Sequence, residues 1–206
     1  MNKIILATGN KDKAQEIKAL LDDQFEVVTM VEAGIDVDII ENGETFEDNA
    51  LIKVHAIKPL IEDSDRGCIL MADDSGLCVD ALDGAPGVFS ARYAGENVSY
   101  ADNNVKLLKE LQGIDAADRT AQFICSVAVI FPNGKEKTYR GVVNGHIAES
   151  YTGEEGFGYD PLFILDETGE TYAQMNADQK NACSHRYKAV KAATKDLLAV
   201  KEREEA

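Results

Sequence analysis

Two adjacent carboxylates, a hydroxyl and a glycine follow an apolar run in Cys68-Ile-Leu-Met-Ala-Asp-Asp-Ser-Gly76. A buried strand ending there would deliver Asp73 and Asp74 to the rim of a sheet. Adjacent carboxylates can hold Mg²⁺, and an ionised aspartate beside the metal can orient or deprotonate water. Asp-Asp-Ser-Gly is also ordinary turn chemistry. The segment therefore reads either as an acid pair at a strand end or as a turn.

Four further stretches bear on that choice. Thr8-Gly-Asn-Lys-Asp-Lys13 lies between a predicted strand and a predicted helix. Glycine frees the backbone, a helix N-terminus favours anions, and two lysines stand nearby. It lacks the spacing of a phosphate-binding Walker loop, and it could equally be a helix start with solvated lysines. In Glu41-Asn-Gly-Glu-Thr-Phe-Glu-Asp-Asn-Ala-Leu-Ile-Lys53, Lys53 shares a helical face with Phe46 and Ala50. A lysine on a packed face needs a partner for its amine, either a phosphate or a surface ion pair reached by snorkelling. In Gly156-Phe-Gly-Tyr-Asp-Pro161, the glycines would let a flat ligand approach the backbone. Phe157 or Tyr159 could stack on a base and Asp160 could accept from a ring N–H. The alternative is a tight turn with both aromatics in the core. Lys180-Asn-Ala-Cys-Ser-His-Arg186 gathers cationic or titratable side chains at a predicted helix start, an unfavourable place for cations unless an anion or carbonyl ligand offsets it.

The elements that must position these residues follow from periodicity. Lys3 to Ala7, Phe25 to Met30 and Cys68 to Ala72 read as strands, and a helix after Asn10 carries Ala14, Ile17, Leu20 and Leu21 on one face. Thr45 with Asp48, and Ser99 with Asp102, look like capping boxes that open two more helices, the second ending near Leu111. Ala121 to Phe131 and Lys135 to Val143 alternate as a hairpin around Pro132-Asn-Gly134, Leu162 to Leu165 reads as a short strand, and Ser184 as a cap for the last helix. Alternating helices and strands with a hairpin in the middle predict an α/β fold with a mixed sheet.

Composition narrows the function classes. A chain of 206 residues suits one α/β domain or two closely joined lobes. The net charge of −16 argues against a nucleic-acid partner and against an anionic membrane surface. No apolar run approaches a membrane span and the N-terminus is too short for a signal peptide, so a cytoplasmic protein is expected. Cys68, Cys78, Cys125 and Cys183 show no zinc or disulfide spacing and read as reduced thiols.

Five stretches occur together in a known order: Ala7 to Lys13, Glu41-x-Gly-x-Thr-Phe-x-x-Asn-Ala-x-x-Lys53, Ala72-Asp-Asp-Ser-Gly-Leu77 through Gly95, Gly156-Phe-Gly-Tyr-Asp-Pro-x-Phe163, and Lys180-Asn-x-x-Ser-His-Arg186. In this the chain resembles the inosine triphosphate pyrophosphatases, over almost its whole length. The resemblance implies an α/β fold with an elongated central mixed β-sheet flanked by helices. It implies a single domain over residues 1–206 made of two lobes with an active-site cleft between them, and a homodimer. It also implies Mg²⁺-dependent hydrolysis of ITP, dITP and XTP to the monophosphate and pyrophosphate, which cleanses the nucleotide pool.

By motif position, Asp74 resembles the metal ligand and proton acceptor, Glu41 the second acidic group at the metal, and Lys13 and Lys53 the phosphate partners. Thr8, Gly9, Asn10, Lys11, Asp12 and Lys13, with Ser75 and Lys180, are similar to the substrate-binding set. Phe157, Gly158, Tyr159 and Asp160, with His185 and Arg186, resemble the base pocket. Arg186, with His185, would donate to the purine O6 and Asp160 would accept from N1–H, which adenine lacks. Gln174 and Asn42 depart from the family pattern without touching an implied catalytic role. The rival readings are a pyrophosphatase for modified pyrimidine triphosphates and a nucleotide-binding regulatory module without hydrolysis.

Overall fold

The computed structural model describes residues 3–21, 24–62, 65 and 67–204. Its strands are β1 (Lys3–Leu6), β2 (Glu26–Thr29), β3 (Ile69–Val79), β4 (Thr120–Ile130), β5 (Glu136–Ile147) and β6 (Phe163–Leu165). Its α-helices are α1 (Lys11–Leu21), α2 (Phe46–Ile57), α3 (Tyr100–Glu110), α4 (Ala177–Cys183) and α5 (His185–Glu204). The strands hydrogen-bond in the order β2-β1-β3-β4-β5-β6. β1 pairs in parallel with β2 and β3, and β5 pairs antiparallel with β6, so the sheet is mixed and helices flank it, as expected.

Local chemistry fixes the helix starts. Thr45 Oγ1 accepts from Asp48 N while the Asp48 carboxylate accepts from Thr45 N, a complete capping box for α2; Ser99 and Asp102 make the same pair for α3. At α1, Asn10 Oδ1 accepts from the backbone N of Asp12 at 2.9 Å and of Lys13 at 3.1 Å. Two N–H groups of that helix end are therefore occupied by the protein's own cap.

Asp-Asp-Ser-Gly is neither a turn nor a strand end. β3 runs straight through it to Val79. Turn propensity is overridden because the acids find buried cationic and amide partners. β5 also extends beyond the expected Val143, because Gly145 to Ile147 pair with Phe163 to Leu165 of β6. A Cβ at Gly145 would fall 2.1 Å from the Ile164 carbonyl oxygen, so that pairing requires glycine. Helix α4 was not anticipated, although Asn176 and Gln179 form its capping box. Ser184 is the residue that ends α4, in extended conformation immediately before α5. Gln174 closes the capping box of a short 3-10 turn begun by Thr171, a role that Gln and Glu fill equally well.

The chain forms two compact units, one of Met1–Asp74, Cys125–Gly141 and Arg186–Ala206, the other of Ser75–Ile124 and Val142–His185. The first unit has helices on both sheet faces. On one face Ile69 and Met71 pack with Ala14, Ile17 and Leu21 of α1 and Ala189, Val190, Ala193 and Leu197 of α5. On the other face Leu70 and Ala72 pack with Ala50, Val54 and Ile57 of α2. The second unit has its own core of Leu77, Val79, Leu107, Phe123, Val143, Phe163 and Tyr172 among others. There the buried Arg119 donates from Nε to Ile114 O and from Nη2 to Leu111 O, each at 3.0 Å, closing the end of α3 with a cation where the helix dipole favours one.

Among the described residues no helix is long and apolar enough to cross a membrane. All four cysteines are free, and burial, with Asp73 nearby, pushes the Cys125 thiol up to about 12.

Candidate active site

Successive side chains on a strand point to opposite faces. Ile69 and Met71 face α1 and α5, so Asp73 continues that row; Leu70 and Ala72 face α2, so Asp74 continues the other. The two neighbouring acids therefore enter different surroundings. The expectation that they act as an adjacent pair on one metal is corrected by this alternation.

Asp74 meets α2. Its Oδ2 accepts from Asn49 Nδ2 at 3.1 Å and its Oδ1 from Lys53 Nζ at 3.2 Å. Lys53 Nζ also lies 2.7 Å from Glu41 Oε2 and donates to the Asp73 backbone carbonyl at 3.0 Å. Each proton of the ammonium thus has an acceptor. Burial would lower the Lys53 pKa, but the carboxylates of Asp74, Asp73 and Glu41 outweigh it and hold the amine above its ordinary value. Lys53 is only 7% exposed, so its amine reaches the buried Asp74 carboxylate and the half-buried Glu41 and does not snorkel to solvent. The structure brings together Glu41, Lys53 and Asp74.

Asp73 meets α1 and α5. Its Oδ2 accepts from Nε and Nη2 of Arg186, each at 3.2 Å, and lies 3.5 Å from Lys13 Nζ. Arg186 Nη1 is bonded to Glu16. Burial works against ionisation of Asp73, but Lys13, Arg186 and Lys53 overcome it and hold the carboxyl far below the usual range. Arg186 is itself 1% exposed and is raised well above its ordinary value, burial being outweighed by Asp73 and Glu16. Expected beside a base with His185, the guanidinium is instead buried against two carboxylates. Lys13 joins the same group, three residues before Glu16 on α1. Lys11 is exposed, Asp12 half-buried, and Thr8 Oγ1 accepts from Asn10 N at 3.2 Å. A Cβ at Gly9 would meet no protein atom within 4 Å, so the backbone there is open to a ligand.

The second unit holds the other expected residues. In the 156–160 turn, Asp160 Oδ2 accepts from Phe157 N at 2.8 Å and from Lys180 Nζ at 2.5 Å. Gly156 has φ +77°, and a Cβ there would lie 2.1 Å from that carboxylate oxygen. This glycine makes room for Asp160; the expected approach of a ligand is not what requires it. Lys180 Nζ sits 4.4 Å from the Phe157 ring centroid, a cation–π contact. Lys180 belongs to α4, so the stretch 180–186 does not gather at one helix start. Gly158 also has positive φ, and its carbonyl accepts from Asn104 Nδ2 at 2.9 Å.

Of the aromatics weighed for stacking, Tyr159 is a core residue: it is 5% exposed and its hydroxyl donates to Ser90 O at 2.9 Å. Phe157 is half-buried beside Tyr100, with ring centroids 5.9 Å apart. His185 is 4% exposed and stacks on Phe123 at 4.6 Å, again in the core. Ser75 is half-buried on β3.

The sequence assigns no role to Glu16, Asn49 or Asn104, and Asp73, read as half of an acid pair, instead joins Lys13, Arg186 and Glu16. Strict alternation along 69–79 would have separated Asp73 from Asp74. A polar Asn49 on the otherwise apolar packed face of α2 is the same kind of sign as Lys53.

Oxygen donors are the chemistry available to a cation. Among the described residues no three His, Cys, Asp or Glu side chains gather into a metal-binding group. Glu41 and Asp74 do converge on a single point, now marked by Lys53 Nζ. Two hard carboxylates, completed by water and phosphate oxygens, are a donor set that suits Mg²⁺.

Known proteins are similar to this chain over almost its full length. A Listeria monocytogenes protein named dITP/XTP pyrophosphatase is 47% identical over 204 residues, covering 98% of this chain and 98% of its own. A Bacillus subtilis protein of the same name is 44% identical over 200 residues, covering 97% and 98%. The solved structure of the Staphylococcus aureus Ham1 protein superposes with a TM-score of 0.83 at 39% identity, covering 96% of this chain and 99% of that one. The model of the Ham1 family matches residues 4–196. With its mixed sheet and this span of similarity, the chain belongs to the Ham1 family.

Proposed function

We propose that the chain is a nucleoside triphosphate pyrophosphatase that hydrolyses the aberrant purine nucleotides ITP, dITP and XTP to the monophosphate and pyrophosphate, with Mg²⁺ as cofactor. The observation that carries this reading is the Glu41–Lys53–Asp74 group, with Lys53 and Asp74 buried and Glu41 half-buried, in a chain whose full-length relatives are named dITP/XTP pyrophosphatases. The reading treats residues 1–206 as one functional domain, acting as a homodimer in the cytoplasm without nucleic-acid or membrane partners. The net charge of −16 and the four free thiols support it.

The bond to be broken is the α–β phosphoanhydride. A water oxygen bonds to the α-phosphorus, the bridging oxygen departs with pyrophosphate, and the water proton passes to a carboxylate oxygen of Asp74. Asp74 is held for this by Asn49 and Lys53, one on each oxygen. Glu41 and Asp74 would hold the metal; when bound, Mg²⁺ supplies charge neutralisation on the phosphates and a lowered pKa for water. Lys53, in contact with Asp74, and Lys13 supply positive charge against the leaving oxygens. In the second unit Phe157 offers a half-exposed ring for stacking, and Asp160, anchored by Lys180, a carboxylate for a purine N1–H. Gly9, open above the first turn of α1, gives phosphate oxygens access to the backbone.

Pyrophosphate release from a panel of ITP, dITP, XTP, GTP, ATP and a modified pyrimidine triphosphate tests the reading. ITP should exceed ATP by at least about 100-fold in kcat/KM, because a carboxylate placed for N1–H is left unpaired against adenine, which lacks that proton. EDTA should abolish turnover and Mg²⁺ restore it. Equal turnover of ATP would overturn the substrate assignment, and nucleotide binding without pyrophosphate release would overturn the enzyme.

A further inference from the structure

The two carboxylates of the Glu41–Lys53–Asp74 group come from separate places, one from the loop before α2 and one from β3. Something must hold that loop at a fixed distance from the strand. Lys53 links the two by charge. A second, neutral link runs through Asn49, one turn earlier on α2. Asn49 Oδ1 accepts from Gly43 N at 2.8 Å, and its Nδ2 donates to Asp74 Oδ2 at 3.1 Å. The side chain is 1% exposed, and both ends of the amide are engaged. The partners also fix its orientation: a backbone N–H can only donate, so the carbonyl end must face Gly43, and the NH₂ end then faces the carboxylate.

Gly43 makes the contact possible. A Cβ there would fall 2.6 Å from Asp48 Cβ, 2.7 Å from Asn49 Oδ1 and 2.9 Å from Asn49 N. The loop is drawn so tightly onto the helix that no side chain fits between them. The helix end it rests on is rigid, since Thr45 and Asp48 close the capping box there.

We infer that Asn49 is a positioning residue for the cation site: it fastens the Glu41 loop to Asp74 and so sets the separation of the two carboxylates. This rests on the reading of Glu41 and Asp74 as metal ligands. A neutral amide suits the task. Two carboxylates and one ammonium leave a net negative charge for a divalent cation, whereas a second cationic link would cancel it. Residues that orient metal ligands from behind typically contribute 10- to 100-fold to metal affinity or activity.

The test is Mn²⁺ binding followed by electron paramagnetic resonance, without nucleotide, on the full-length protein and on Asn49→Ala and Gly43→Ala. Thermal midpoints establish that each variant is folded, and kcat is measured at several Mg²⁺ concentrations. Both variants should weaken Mn²⁺ binding at least about 10-fold and raise the Mg²⁺ concentration for half-maximal rate similarly, with a smaller loss of kcat at saturating Mg²⁺. The loop-side variant deletes no buried side chain and moves the loop off the helix, so it carries the test if Asn49→Ala fails to fold. Folded variants that bind Mn²⁺ within about twofold of wild type would overturn the positioning role alone. A wild type that binds no Mn²⁺ would overturn the metal reading and this inference with it.

Discussion

Asp74→Asn should lower kcat for ITP by at least about 100-fold while the protein stays folded. The substitution keeps size and shape but removes the negative charge that holds the cation and the carboxylate oxygen that takes the proton, and general-base catalysis alone contributes roughly 10²–10⁴-fold. Lys53 keeps its bonds to Glu41 and the Asp73 carbonyl, so one partner is lost from a group that retains the others. The stability loss should be about 2 kcal/mol, as for hydrogen bonds to a charged group. Steady-state pyrophosphate release and a urea unfolding curve check both halves. A kcat within threefold of wild type would remove Asp74 from the chemistry.

Its neighbour should behave oppositely. Asp73→Asn is expected to destabilise the protein by about 3 kcal/mol, because removing one partner of a buried ion pair leaves the other charged and unmatched. Arg186, 1% exposed, would keep Glu16 but lose the carboxylate that takes two of its N–H groups, and Lys13 would lose the acid 3.5 Å away. The effect should depend on pH in a definite direction. The folded-state pKa of Asp73 is depressed, so its stabilisation is fully present above the unfolded value of about 4 and is lost as pH falls through the folded value. The gap between wild type and variant in urea midpoints should therefore be constant near neutrality and shrink below about pH 4. A gap of less than about 1 kcal/mol at pH 7 would mean that the Asp73 charge is not what holds Arg186.

The features legible in the sequence were those settled within a few residues. Thr45 with Asp48 and Ser99 with Asp102 announce helix starts because the cap and its partner lie on one turn. Lys53 was identifiable as anomalous by its helical face, and the structure buries it at 7% exposure. What failed was decided by residues distant in the chain. Asp73 and Asp74 look like turn formers until Arg186, 113 positions on, and Lys53, 21 positions back, are brought against them. Tyr159 and His185 carry no local mark of being core residues; only their packing against Ser90 and Phe123 makes them so. The glycines of the 156–160 turn were recognised as special, but the reason at Gly156, a carboxylate 2.1 Å from where its Cβ would be, exists only in three dimensions.

The opposed facing of Asp73 and Asp74 makes tolerance of length change in β3 a question of parity. One residue gained or lost just before Asp73, with the preceding apolar side chains kept in place, would turn each acid to the opposite face; a gain would carry Asp73 to the place of Asp74 and Asp74 one place beyond, and a loss would do the reverse, so that only one acid meets its neighbour's partners. An even change would restore the facing but carry both acids along the strand by about 3.3 Å per residue, past Lys53 and Arg186 alike. Neither kind of change preserves the site, so β3 can accept substitution at its other positions but not a change of length before Asp73.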